Sequence, residues 1–222
     1  MKYLSISSVS LVLIFLTLGC TTTAKQPTLH DFGVPGSAAM NESKPVMKQV
    51  DGVYAPSQQG AGAVTVNAPT WLWDNRIRYR LLYVAPTNVS FYGLDMWIAP
   101  PPELFGQMLI SNMKTLNCSL NIQLLEFEQQ FDASDRAREV LRFSVDAYSS
   151  DNKQKISTQE FHLEQSAKTP DAAGAVNGFT DLTRQAVGRI QTWLAGLPPA
   201  PKSGAPLLQG KAKAPAQAPC LL

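Results

Sequence analysis

Residues 119–165 constrain the fold most. Three segments follow one another, "SLNIQLLEFEQQF" (119–131), "REVLRFSVDAYS" (138–149) and "ISTQEFHLEQ" (156–165), joined by the polar turns "ASDR" and "SSDNKQK". Apolar residues at every second position put one face of a strand on a core and the other in water. The three segments therefore read as an antiparallel meander. The first one changes phase: Leu120, Ile122 and Leu124 share one face, while Leu125, Phe127 and Phe131 share the other. A bulge near Leu124–Leu125 restores a single inward face. In the second segment Leu141, Phe143, Val145 and Ala147 point inward.

A sheet with one apolar face needs a cover, and the sequence offers two helices. In the later one Ala175, Phe179, Leu182, Ala186, Ile190, Trp193 and Leu197 recur at three- and four-residue steps. Thr169 reads as its cap, Pro170 as its first position, and Asp171 as a charge on the positive end of its dipole. Gly196 and Pro198-Pro199 end it. The earlier helix starts at Pro100–Pro102 with Glu103 in its first turn, and carries Leu104, Phe105, Met108, Leu109, Met113 and Leu116 on one face. Ahead of it, "TLHDFGV" (28–34) and "AVTVNAP" (63–69) read as strands, and 76–84 with 89–97 as a hairpin across "APTN". Residues 35–62 read as a long loop with at most a short strand around 48–54. Residues 198–222 are Pro/Ala-rich and read as a disordered, solvated tail.

The N-terminus has its own logic. Lys2 precedes the apolar run "VSLVLIFLTL" (9–18), which stops at Gly19-Cys20 and gives way to "TTTAKQPT". That length suits a cleaved secretory signal; a membrane-spanning helix needs roughly 20 apolar residues. A small residue and then Cys after such a core resembles the bacterial lipobox, although Thr17 stands where Leu is commoner. The resemblance implies that residues 1–19 are removed and that Cys20 receives a diacylglyceryl group and an N-acyl chain such as palmitate. Three chains make attachment effectively permanent. Thr21, not Asp, follows the Cys, which by the same resemblance points to the outer membrane, facing the periplasm. The expected organisation is signal peptide 1–19, tether 20–27, domain 28–197 and tail 198–222.

Without residues 1–19 the 222-residue chain keeps 203, enough for one domain with a core. Net charge is +2 for the whole chain and +1 without Lys2. There is no basic stripe, so nucleic acid is a poor partner. Besides Cys20 there are Cys118 and Cys220. They either pair in an oxidising compartment, or Cys118 is a buried apolar residue at the end of the earlier helix and Cys220 a free thiol. The second is favoured, because Cys220 sits in a segment without pattern.

The search for chemistry finds no positive case for an enzyme or a cofactor. His30 stands beside Asp31, and His162 lies with Glu160 and Glu164 on a strand face that reads as solvated rather than metal-binding. Asp132 and Asp135 flank a turn. G-x-S-x-G, H-E-x-x-H and C-x-x-C are all missing from the sequence. The unusual feature is aromatic: Trp71, Trp73, Tyr79, Tyr83, Phe91, Tyr92 and Trp97 fall within residues 71–97, interleaved with Arg76, Arg78 and Arg80. Core and cross-strand packing accounts for such rings; so does a partner face, where Trp, Tyr and Arg dominate. The candidate partner-binding residues are Trp71, Trp73, Arg76, Arg78, Tyr79, Arg80 and Trp97. Trp71 and Trp73, in a loop-like segment after Pro69, are the ones expected at the surface.

The "YR" on a strand (Tyr79, Arg80), the "W-x-A-P-P" before the helix (Trp97, Ala99, Pro100, Pro101), the "L-x-E-F-E-Q-x-F" strand and the Ala-rich final helix occur in an order that resembles the ABC-type transport auxiliary lipoproteins, which include the lipoprotein of the paraquat-inducible system. The resemblance spans about residues 28–197. It implies an α/β fold, a three-layer domain with a mostly antiparallel or mixed sheet and two main helices. It also implies a non-enzymatic outer-membrane subunit whose partners are an MCE-domain protein, an ABC transporter moving lipid across the periplasm, and further copies of itself in a homo-oligomer. The rival expectations are an envelope adaptor for a peptidoglycan synthase or secretion system, and a periplasmic lipid-binding carrier. The loop at 35–62 is longer than in compact members of that family.

Overall fold

The computed structural model describes residues 25–33, 62–113, 116–149, 154–197 and Cys220. The signal peptide, Cys20 and the tether up to residue 24, most of the 35–62 loop and nearly all of the 198–222 tail lie outside the described residues. Seven strands form one mixed sheet: β1 (Thr28–His30), β2 (Val64–Asn67), β3 (Arg76–Leu81), β4 (Ser90–Trp97), β5 (Cys118–Ala133), β6 (Arg136–Ser149) and β7 (Lys155–Ser166). Two helices, α1 (Pro101–Asn112) and α2 (Ala172–Ala195), complete it.

The expected meander forms. β5, β6 and β7 pair antiparallel over their whole lengths, and β3 and β4 make the expected hairpin. The bulge sits where the phase change required it: Leu124 pairs with Phe143 and Glu126 with Arg142, so Leu125 is the extra residue. Leu120, Ile122, Leu124, Phe127 and Phe131 are all buried as a result, while Leu125 faces solvent. β2 and β3 run parallel to β5 along one edge, at Leu120–Gln123 and at Gln129–Phe131. The 3₁₀ turn Thr70–Leu72 bridges the gap between them. β1 adds parallel to β4 at one end of the sheet, and β7 is the other end.

Both helices lie on the same face of the sheet and touch each other; Gln191 in α2 donates to the Asn112 carbonyl at the end of α1 at 3.1 Å. Among the described residues the layers are thus one of helices and one of strands. Phe127 stacks on Phe179 at 3.9 Å, Trp97 meets both rings edge-on, and Phe32 is tilted against Phe127 and edge-on to Trp97. A second row, Phe105, Phe143, Phe161 and Trp193, ties α1 to α2 across β6 and β7. Each such ring buried contributes roughly 1.5–3 kcal/mol.

Two local expectations are corrected. The cap of α2 is Asp171, whose carboxylate accepts from the Gly174 amide at 2.8 Å; Thr169 supports it by donating its hydroxyl to that carboxylate at 2.6 Å. Pro170 therefore precedes the cap instead of opening the helix. Cys118 is the first residue of β5, not the end of a helix, and it forms a disulfide with Cys220, with Cα atoms 5.2 Å apart. The Cys220 carbonyl also accepts from the Asn117 amide at 2.9 Å. Pairing over so long a sequence separation could not be read from Cys220's own patternless surroundings.

Candidate partner interface

β3 alternates Arg76, Arg78 and Arg80 against Ile77 and Tyr79, so the three arginines point away from the helices. On that uncovered face Trp71 is 62% exposed and Trp73 39%. The turn carrying them is held from below: Arg78 donates to the Trp71 carbonyl at 2.6 Å, and the Trp73 indole N–H donates to the Ala68 carbonyl at 3.2 Å. Trp71 is therefore presented by an ordered backbone rather than a free loop.

The arginines differ in what they are free to do. Arg76 is paired with Asp74, which raises the guanidinium's pKa and lowers that of the carboxyl, and its Cζ lies 3.8 Å over the Phe91 ring. Arg80 forms a fork with Glu128 at 2.8 and 3.1 Å and donates to the Pro86 carbonyl, and Glu128 raises its pKa. Arg78 makes no direct ion pair among the described residues, although Glu128 and Asp74 act on it from a distance. Burial pushes its pKa down, and its Nε has no hydrogen-bond partner among the described residues. Beside it is a hollow of about 220 Å³ lined by Trp71, Leu72, Leu125, Glu126 and Arg142 among others. The hollow sets an exposed indole and Leu125 beside charges of both signs, Arg78 and Arg142 with Glu126 and Glu128, a mixture that suits a polar and apolar protein surface from outside.

Five of the seven candidate residues, Trp71, Trp73, Arg76, Arg78 and Arg80, are thus together on one face. The other two are elsewhere. Trp97 is 1% exposed, in the aromatic core, and Tyr79 packs on Tyr92 and Phe131 on the helix side of the sheet. Trp97 is a packing residue because the alternation of β4 sends Met96 outward and Trp97 inward. Leu125 and Phe91 belong to the face but were not among the candidates. The bulge is the signal that could have found Leu125, since an extra residue in a strand must leave the core. The same uncovered face continues to β1, where Leu29 is registered with Met96 and Met96 with Arg76.

The remaining polar candidates are accounted for by neighbours. His30 is bonded to Asp95 at 2.9 Å and His162 to Glu164 at 2.9 Å, and Asp132 pairs with Arg138. Among the described residues no cluster of three or more His, Cys, Asp or Glu is arranged to hold a metal. A separate polar chain crosses the core: Tyr92 donates to Gln129 at 2.6 Å, and Gln129 donates to Glu139 at 3.1 Å. Glu139 is fully buried under α2 at Gly178, where a Cβ would sit 2.2 Å from its Oε2. Burial pushes the Glu139 carboxyl up to about 7 and the Tyr92 phenol well above its usual range.

No family model and no curated protein matches the chain. Solved structures do. A crystal structure of a protein from Xanthomonas campestris assigned to the family DUF330 matches with a TM-score of 0.52 at 14% identity, over 60% of this chain and 82% of that one. Another, of an uncharacterized protein, matches with a TM-score of 0.47 at 17% identity, over 60% and 91%. At such identities the first likeness is one of fold: this chain shares the architecture of a DUF330 protein.

Proposed function

We propose that the chain is a non-enzymatic outer-membrane lipoprotein that docks an MCE-type ABC lipid-transport system, held by a lipid on Cys20 and facing the periplasm. The observation that carries the docking role is the uncovered face of β3, where the exposed Trp71 and Trp73 sit on an ordered turn that Arg78 holds by donating to the Trp71 carbonyl. Tryptophan and arginine of this kind concentrate binding energy. The hollow beside Arg78 is the size of one side chain, which favours a protein partner over a lipid cargo. The Cys118–Cys220 disulfide agrees with an oxidising compartment such as the periplasm. The sequence resemblance supplies the kind of machine.

The test is a cross-linking capture from native envelopes with wild type and with Trp71→Ala/Trp73→Ala. Recovery of an MCE-domain protein by wild type and its loss in the double variant are expected. A wild-type capture that brings down a peptidoglycan synthase or secretin instead overturns the transport reading.

A further inference from the structure

We infer that the turn between β3 and β4, residues 82–89, seats on the membrane surface that holds the lipid of Cys20. This rests on the lipid anchor of the proposed function and not on the identity of the docking partner. At the turn Tyr83 is 48% exposed and Val84 66%. Both are presented by ordered backbone. The Val84 and Ala85 amides donate to the Leu81 carbonyl at 3.2 and 2.9 Å, and the Asn88 amide donates to the Ala85 carbonyl at 3.0 Å. Arg80 donates to the Pro86 carbonyl at 2.9 Å from the strand side. No charged residue occurs between Arg80 and Asp95. An exposed, uncharged turn carrying a tyrosine has the make-up of a membrane-interface contact, where amphipathic rings settle at headgroup level.

The position of the tether selects lipid as the occupant. β4 runs from the turn toward Trp97, and β1 lies parallel to it with Thr28 level with Asp95. The chain leading into β1 therefore arrives from the side of the turn. Carried back at the same register, Lys25 falls level with Tyr92, two positions from Ser90, where β4 begins. Cys20 stands five residues before Lys25, a reach of at most about 18 Å. Anchor and turn thus belong to one end of the sheet. Lys25 is exposed, and its charge suits anionic headgroups. Trp71 precedes Arg76, and β3 runs from Arg76 toward the turn. The two tryptophans are therefore set back from the membrane, open to a partner in the periplasm.

The test uses the full chain, expressed with its N-terminal segment, purified from membranes and returned to vesicles of phosphatidylethanolamine and phosphatidylglycerol. A fluorophore is attached at Val84→Cys or, as a control, at Gln154→Cys. Gln154 is exposed and bonded to Ser149, which pairs with Cys118 at the other end of β5 from the turn. The disulfide-bonded Cys118 and Cys220 do not compete for the label. Lipid with a spin label just below its headgroup is expected to quench residue 84 about twofold more than residue 154. Adding Tyr83→Asp to Val84→Cys is expected to abolish that difference while the protein still floats with the vesicles. Flotation with residue 84 quenched no more than residue 154, or a difference that survives Tyr83→Asp, overturns this inference alone. Protein that neither floats nor carries lipid mass on Cys20 overturns the anchor reading, and this inference with it. Capture of an MCE-domain protein through Trp71 and Trp73 is a separate outcome from both.

Discussion

Burial of the Glu139 carboxyl beneath α2 makes the stability of this chain depend on pH near neutrality. Unfolded, the group titrates near 4.5; folded, near 7. Between those values the folded state binds the proton more tightly, so the favourable contribution is complete below about 4.5 and is lost as pH rises through 7. The span corresponds to on the order of 3 kcal/mol. Glu139→Gln keeps the shape and removes the titration. It is expected to melt higher than wild type at pH 8 and close to it at pH 4.5, as followed by circular dichroism. The tryptophans divide in the same residue-level way. Trp97→Ala empties a site among Phe32, Phe127 and Phe179 and is expected to cost about 3–5 kcal/mol in denaturant unfolding. Trp71→Ala, at an exposed site, is expected to stay within about 0.5 kcal/mol.

Among the elements, β5 has a test of its own. Its two halves are in phase only because Leu125 is surplus. Deleting Leu125 leaves Leu124 inward, Glu126 outward and Phe127 inward, a regular strand, and is expected to give a folded protein with a cooperative melt. Deleting Glu128 turns Gln129 and Phe131 to the wrong face and is expected to abolish that melt. The bulge was legible in the sequence because face alternation is local and its interruption is local too. So were the meander, the hairpin and the extent of α2, each set by periodicity within one segment. The inward turn of Trp97, the sharing of one β5 edge by β2 and β3, and the placing of both helices on one face were not legible. They depend on which distant segment each strand pairs with. The candidate face was half-legible for the same reason. The segment 71–80 marked it, but the Arg80–Glu128 fork that removes one arginine from service spans 48 residues.

For the molecule as a whole the disulfide is the main constraint added after the sheet and helices. Cys118 and Cys220 are 102 residues apart. Closing a loop of that size limits the unfolded chain by about 4.7 kcal/mol in the chain-entropy account. For a chain of this length that corresponds to a fall in Tm on the order of 10 °C. Cys220→Ser is expected to show that fall, and reductant is expected to lower wild type to the same Tm while leaving the variant unchanged. Strand pairing and aromatic stacking hold without it, so the reduced protein is expected to keep its far-ultraviolet spectrum below the transition.

The same bond divides the polypeptide into a ring and an arm. β5, β6, β7 and α2 lie inside the closed circuit from Cys118 to Cys220, while β1 to β4 and α1 belong to the strand of chain leading into it. A single backbone cut between Cys118 and Cys220 therefore falls on a covalent circle. A protease that nicks it at Lys211 or Lys213 cuts the backbone but frees nothing: the residues beyond the nick stay attached until a reductant opens the circle.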